Sequence, residues 1–186
     1  MSKRMLSMLM GLAVLVVAGF AWADYCGMWL ADPDPSFPGS TSAYSNYPYS
    51  GSCGGTGTYG LKYQCVEYAQ RYYASRWGFA AKWGVNAKDM CGTHPSGITS
   101  RTSGLSACDS HWWHGDLIVI GAGVCGANST YGHVAVVDGC VSSTTLSIVE
   151  QNYSAAGHRK MSASCAKCDL WTASNNGPYA CQVYCN

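Results

Sequence analysis

The sequence predicts an α+β domain that is held together by disulfide bonds. Three observations support this prediction: one stretch with helical periodicity begins at Cys65, short β-rich runs follow from Asp116 onwards, and the chain contains eleven cysteines. A helix that is followed by consecutive antiparallel strands belongs to the α+β class.

Residues 1–23 have the composition of an export signal. Lys3 and Arg4 form a basic start, an apolar stretch runs from Met8 to Phe20, and a small-x-small cleavage site ends at Ala23. The apolar stretch is short for a bilayer span, which needs about 20 residues. We therefore expect removal of the signal near Ala23 and a mature protein that is secreted or periplasmic.

The charge of the chain selects no partner. Eleven basic and ten acidic residues give a net charge of +1, and removal of the signal takes away only Lys3 and Arg4. A nucleic-acid-binding protein would show a basic excess or stripe, so we expect no nucleic-acid partner. No second apolar run could cross a membrane, so we expect no stable membrane insertion, and a monomer.

Residues 24–58 form a segment rich in Gly, Ser and Tyr, which we interpret as a loop. Turn formers such as Asp32-Pro33-Asp34-Pro35 break any periodicity. Tyrosines are interspersed with Ser and Gly here, and they have two interpretations. They either bury their rings against the domain or line a substrate site.

The segment from Cys65 to about Trp77 is predicted to be an amphipathic helix. Cys65, Tyr68, Ala69 and Tyr72 fall at positions i, i+3, i+4 and i+7. The polar segment that follows, to about Ser110, shows no sustained period and predicts at most a short helix near residues 80–83. A disulfide between Cys91 and Cys108 is one pairing that would cross-link this segment.

Three antiparallel strands are predicted at Asp116 to Ile120, His133 to Asp138, and Leu146 to Asn152. A hairpin centred near Ser142 would place His133 almost opposite Glu150 or Asn152. Glu150 and Asn152 are two residues apart, so both would point to one face of the strand. One imidazole could then contact both side chains.

The remaining cysteines permit two kinds of site. The spacing of Cys165, Cys168, Cys181 and Cys185 would suit zinc in the cytosol, whereas export favours disulfides. Ten of the eleven cysteines can pair, so an unpaired Cys65 is a candidate nucleophile. At the first turn of a helix, unpaired N–H groups and the helix dipole lower the pKa of a thiol.

A nucleophilic thiol needs a base and a group that orients the base. His133 is the candidate base, and Glu150 or Asn152 is the candidate orienting group. Four blocks containing these residues resemble the CHAP domain, the cysteine- and histidine-dependent amidohydrolase/peptidase family. They are Tyr63-Gln64-Cys65-Val66-Glu67-Tyr68, Gly115-Asp116-Leu117-Ile118-Val119-Ile120, Gly132-His133-Val134-Ala135-Val136-Val137 and Val149-Glu150-Gln151-Asn152.

The resemblance implies a papain-like fold in which the helix carrying the cysteine packs on an antiparallel sheet carrying the histidine. It assigns Cys65 as nucleophile, His133 as base, Glu150 as orienting carboxylate and Asn152 as an auxiliary polar group. It covers a catalytic core at residues 59–153, which leaves residues 154–186 as a Cys-rich extension packed on the core.

The resemblance also implies an activity, namely cleavage of an amide bond in peptidoglycan, either between the sugar lactyl group and the stem peptide or within the peptide. Some family members bind calcium through carboxylates close before the nucleophile. The nearest earlier acids here are Asp32 and Asp34, so we expect no metal and no other cofactor. Two alternatives stay open: an amidase that acts on a substrate outside the cell wall, and a disulfide-rich binding or toxin-like module without turnover.

Overall fold

The computed structural model describes residues 25–34, 40–48, 51–106 and 112–175. The predicted signal, Cys108, Cys181 and Cys185 lie outside these residues. The elements in chain order are β1 (Trp29–Ala31), β2 (Ala43–Tyr44), β3 (Thr56–Gly57), β4 (Gly60–Leu61), α1 (Cys65–Trp77), a 3-10 helix (Ala87–Asp89), β5 (Ile98–Arg101), β6 (Leu117–Ile120), β7 (His133–Ser142), β8 (Thr145–Val149), β9 (His158–Ser162), a 3-10 helix (Ala163–Cys165) and β10 (Ala166–Thr172).

A six-stranded antiparallel sheet forms the centre of the domain, in the order β5-β10-β6-β7-β8-β9. The α+β class is therefore confirmed, and the three predicted strands correspond to β6, β7 and β8. Two strands that the sequence did not reveal come from the segment after residue 153. Since β10 lies between β5 and β6, this segment is part of the sheet rather than an extension packed on it.

The sheet separates two hydrophobic clusters because side chains alternate between its faces. Leu117 and Val119 of β6 point to the cluster that contains α1, whereas Ile118 and Ile120 point to the opposite cluster with Trp112. All four residues of β6 are fully buried. The strand is thus a continuous apolar run, as expected for a strand that is covered on both sides.

Helix α1 has the limits that the periodicity predicts. Its buried face carries Tyr68, Ala69, Tyr72 and Tyr73, all without solvent exposure. Gly78 ends the helix in the left-handed conformation, with φ of 72°, and its N–H bonds the carbonyl of Ala74. Glycine takes this conformation without a steric cost, which explains the stop.

Other local predictions need correction. Residues 80–83 are not helical; a 3-10 turn occurs instead at Ala87–Asp89, and β5 follows in the segment predicted to be irregular. The segment 24–58 contains β1, β2 and β3 in addition to loops. These strands have two or three residues each, which is too short to give a periodic signal.

Disulfides join distant parts of the chain. Cys26 pairs with Cys53, Cys91 with Cys168, and Cys125 with Cys165, and Cys140 is also disulfide-bonded. The Cys91–Cys108 pairing is therefore wrong, because β10 brings Cys168 next to Cys91. The disulfide interpretation is confirmed for Cys165 and Cys168. In the described part of the chain, no helix is both long and apolar enough to cross a bilayer.

Candidate active site

Cys65 is the first residue of α1 and lines the floor of a cleft. It is buried, and it is the free cysteine among those that the structure describes. The chain enters the helix through Tyr63, which has a φ of 64°, and Gln64, which is extended. The thiol therefore lies at the end of the helix where backbone N–H groups are unpaired and the dipole favours negative charge.

Two glycines fix this entry by making room for the ring of Tyr63. A Cβ atom at Gly27 would lie 2.8 Å from the Tyr63 hydroxyl, and one at Gly54 would lie 2.5 Å from its ring. Each glycine directly follows one cysteine of the Cys26–Cys53 disulfide. The disulfide therefore holds together the two walls between which Tyr63 inserts.

His133 begins β7 and joins the thiol to a carboxylate. Its ring hydrogen bonds Cys65, and its Nε2 atom lies 3.0 Å from Oε2 of Glu150. Both His133 and Glu150 are buried. The contact between His133 and Glu150 is the one that the hairpin argument predicts, although β8 ends at Val149 and the turn occupies residues 143–144.

The electrostatics favour an ion pair between thiolate and imidazolium. Burial alone would raise the pKa of Cys65, but attraction to and a hydrogen bond with His133, together with backbone hydrogen bonds at Val134 and Val66, lower it. Burial alone would lower the pKa of His133, but Cys65 and then Glu150 raise it to about 9. The two groups thus stabilise each other's charged form.

Arg159 balances the charge of Glu150, and the sequence analysis did not identify it. Its Nε atom donates to both carboxylate oxygens, at 3.0 Å and 3.1 Å. The guanidinium also lies 3.9 Å from the centre of the Tyr153 ring, and that ring is 5.1 Å from the ring of His133. A search for a cation near a buried acid could have found Arg159, because a carboxylate without exposure needs a partner.

Asn152 does not share the imidazole with Glu150 as the strand alternation predicted. It lies beyond the end of β8 and has a φ of 58°, so the period of two no longer applies. Its Nδ2 donates to Oε1 of Gln64 at 2.6 Å, and its Oδ1 accepts from Nδ2 of Asn46 at 2.8 Å. Asn152 therefore bonds the side chain of Gln64, the residue that precedes Cys65, and all three residues line the cleft.

Asn46 closes a ring of hydrogen bonds around Asn152. It donates to the carbonyl of Gly51 at 2.9 Å, and Gln64 donates to the same carbonyl. Asn46 is fully buried and also accepts from the backbone N–H of Cys53. No local sequence pattern identifies Asn46, because its contact with Asn152 joins residues that are 106 positions apart.

A second buried polar network supports the first turn of α1. Glu67 pairs with Arg71 at 2.8 Å and accepts from Nε2 of Gln151 at 2.9 Å. Oε1 of Gln151 accepts from Arg71 and from the backbone N–H of Tyr44. The N-terminal segment is thus bonded to the helix and to the loop after β8. Within the described residues no group of three or more His, Cys, Asp or Glu side chains could hold a metal ion.

The cleft has a volume of about 620 Å³ and runs along the start of α1. Its walls come from the segments around residues 59–61, 82–87 and 128–131, and its polar end contains Gln64 and Asn152 beside Cys65. A thiol that lines a cleft, an imidazole hydrogen-bonded to that thiol and a buried carboxylate bonded to the imidazole form an arrangement that can attack a carbonyl and protonate a leaving group.

Comparison with known proteins places the site within a matched segment. The family model of the CHAP domain matches residues 54–152. Among solved structures, an N-acetylmuramoyl-L-alanine amidase from Staphylococcus aureus is similar at 22% sequence identity and a TM-score of 0.43, over 62% of this chain and 32% of that chain. The chain thus spans about a third of the length of that protein. No curated protein sequence gives a significant match.

Proposed function

This chain belongs to the CHAP domain family, and on that basis we propose that it is a secreted cysteine hydrolase that cleaves an amide bond of peptidoglycan. The observation that supports this proposal most directly is the buried series Cys65, His133 and Glu150, which is linked by hydrogen bonds and of which Cys65 lines a cleft. The bond would be either the amide between the sugar lactyl group and the stem peptide or a peptide bond within the stem.

The reaction would begin with the ion pair. The Cys65 thiolate attacks the carbonyl carbon, and a C–S bond forms as the carbonyl oxygen takes the negative charge. Backbone N–H groups at the start of α1 are suitable donors to that oxygen, an effect worth roughly 3 kcal/mol in comparable sites. The His133 imidazolium then gives its proton to the leaving amine, and the C–N bond breaks.

Water completes the cycle. Neutral His133 takes a proton from water as the oxygen attacks the thioester, and the carboxylic acid leaves as the C–S bond breaks. Glu150 keeps the imidazole oriented and stabilises its charged form. Asn152 would act through its hydrogen bond to Gln64, the residue that precedes Cys65.

The free thiol favours an enzyme over a binding module. Seven described cysteines are disulfide-bonded, whereas Cys65 remains reduced beside a histidine. A binding module would gain nothing from a reactive thiol in an oxidising compartment. The disulfides also fit export, and we propose that residues 1–23 are removed and that the mature protein works in the periplasm or outside the cell.

The test is to incubate the oxidised mature protein, residues 24–186, with purified peptidoglycan and to identify released fragments by mass spectrometry. Cys65→Ala is the matched control, because it removes only the sulfur. New amine termini made by the wild type alone would establish the hydrolase and name the bond. Identical digests from both proteins, with the Cys65 thiol shown to be reduced, would overturn the peptidoglycan assignment.

A further inference from the structure

The cleft at Cys65 has one ionised side chain whose charge is not neutralised within the described residues. Glu67 and Lys82 both line the cleft. Glu67 is buried and its charge is balanced by Arg71 at 2.8 Å. Lys82 is exposed and makes no hydrogen bond or ion pair with any residue that the structure describes. Lys82 therefore adds one positive charge to the wall of the cleft.

The backbone that carries Lys82 is fixed from inside the domain. The N–H of Trp83 donates to Oε1 of Gln70 at 2.5 Å, and the Trp83 ring is buried with its Nε1 bonded to the carbonyl of Ala80 at 3.0 Å. Gln70 also donates to the carbonyl of Tyr59 at 2.8 Å. The buried side-chain amide of Gln70 thus bonds the backbone of both walls of the cleft. The backbone next to Lys82 therefore has a defined position.

The rest of the wall can bind a polar chain with apolar parts. Oδ1 of Asn128 accepts from the N–H groups of Thr130 and Tyr131, at 2.8 Å and 3.0 Å, which leaves its two amide hydrogens available as donors. Tyr131 and Leu61 are 56% and 54% exposed and offer apolar surface. These groups can bind a peptide, and the positive charge of Lys82 favours a peptide that carries a carboxylate.

We propose that Lys82 forms a carboxylate subsite in the cleft, so that the preferred substrate carries an anionic group near the amide that is cleaved. This inference rests on the proposed function, because it assumes that the cleft binds a substrate whose amide bond is cleaved. The pairing of an exposed ammonium with a carboxylate is worth up to about 1 kcal/mol, which corresponds to roughly a fivefold preference. Salt should reduce the preference, because exposed charges are screened.

The first test does not require turnover. Iodoacetate and iodoacetamide have nearly the same shape, but only iodoacetate carries a carboxylate, and both alkylate Cys65 as the thiolate displaces iodide. We expect Lys82→Gln to lower the ratio of the iodoacetate rate to the iodoacetamide rate by roughly fivefold. Lys160→Gln removes an exposed lysine of β9 outside the cleft and should leave the ratio unchanged.

Mass spectrometry of the labelled protein would confirm that Cys65 is the modified residue. The same experiment at high ionic strength should bring the wild-type ratio towards that of Lys82→Gln. A ratio that is identical in the wild type and in Lys82→Gln at low ionic strength would overturn the subsite. This readout is independent of any assignment of the natural substrate.

The second test uses three muropeptides: one with all carboxylates free, one with the internal stem carboxylate amidated, and one with the C-terminal carboxylate amidated. The wild type should cleave one amidated form roughly fivefold less efficiently in kcat/KM, which identifies the carboxylate that is bound. Lys82→Gln should lose this preference and Lys82→Glu should reverse it. Equal cleavage of all three by the wild type would contradict the subsite, whereas no cleavage of any would contradict the proposed function instead.

Discussion

The segment that matches the CHAP domain, residues 54–152, and the segments on either side of it contribute differently to the site. The matched segment contains Cys65, His133 and Glu150, which are linked directly. The flanking segments contain Asn46, which bonds Asn152, and Arg159, which bonds Glu150. The candidate reactive groups and these two partners thus come from different parts of the chain.

The reason for this division is the geometry of the sheet. Glu150 follows β8 directly, and β8 is paired on its outer side by β9, so Arg159 of β9 reaches Glu150 from beyond the matched segment. The first turn of α1 faces the N-terminal segment, which is held by the Cys26–Cys53 disulfide. The matched segment therefore contains the candidate reactive groups, and its flanks contain residues that hold them in place.

Removal of a reactive group should have the largest effect. We expect His133→Ala to reduce kcat/KM by about a thousandfold or more, because it removes both the ion-pair partner and the proton donor. The unfolding midpoint should change much less than the activity. Turnover near the wild-type level in a folded His133→Ala protein would show that His133 is not a reactive group.

The pH dependence should report the same pair. The active form has a thiolate at Cys65, whose pKa is lowered, and an imidazolium at His133, whose pKa is raised to about 9. As the pH is raised, activity should therefore increase over a range that lies below the ordinary thiol pKa of about 8.5. It should decrease above about pH 9, when His133 loses its proton. Measurement of kcat/KM from pH 5 to 10 tests this, and a plateau to pH 10 would exclude the ion pair as the active form.

A change at Arg159 should produce a smaller loss with a distinct signature. Arg159→Gln leaves Glu150 without its cation, and we expect a loss of up to about a hundredfold through misplacement of His133. Removal of the positive charge should also move the alkaline limit to higher pH, since the imidazolium is then more stable. Arg159→Lys should restore part of the activity. Lys160→Gln, on the next residue, is the control, and an equal loss in that variant would contradict a positioning role.

A change at Asn46 should reduce activity by about tenfold, the equivalent of one hydrogen bond to a buried group. Asn46→Ala removes the donor to Oδ1 of Asn152, and Asn46→Asp would place an acceptor oxygen against that acceptor oxygen. We expect kcat to fall more than KM rises in both variants, with the larger loss in Asn46→Asp. Ser45→Ala, at a buried neighbour that contacts the backbone of Tyr47, should retain activity. Loss of stability without loss of kcat would limit Asn46 to a structural role.

The flanking strand β10 should affect stability rather than turnover. Burial raises the pKa of Asp169 to about 7 against the opposing effect of Arg101, and burial together with Asp169 raises the pKa of Asp116 well above its usual range. The folded state therefore binds more protons than the unfolded state between about pH 4 and pH 7.

The free energy of unfolding should then be highest below about pH 4 and fall as the pH rises to about 7, by on the order of a few kcal/mol. In Asp169→Asn this slope should become smaller, because burial still raises the pKa of Asp116, while Asp89→Asn, in an exposed 3-10 turn, should keep the full slope. Denaturant melts across the pH range measure the slope. The contradicting result would be a free energy of unfolding that increases from pH 4 to 7 in the wild type and increases at the same rate in both variants. That result would exclude a protonated carboxyl at β10.

Local sequence patterns gave accurate limits only where one element decides its own structure. The helix Cys65–Trp77 has both predicted ends, because its apolar period and Gly78 lie next to each other in the chain. Strand β6 was recognisable as an apolar run, whereas β9 and β10 contain charged residues and were not recognised. Their pairing is imposed by neighbours that lie far away in the sequence.

Sequence patterns are sufficient to identify the candidate reactive residues, the helix that starts at Cys65, and the contact between His133 and Glu150, because each depends on a short pattern or on one hairpin. The contact of Arg159 with Glu150, the ring of hydrogen bonds around Asn152, the cysteine partners and the position of Lys82 in the cleft depend on the tertiary structure. These are contacts between segments about 9 to 106 residues apart, and spacing along the chain does not specify which segments meet.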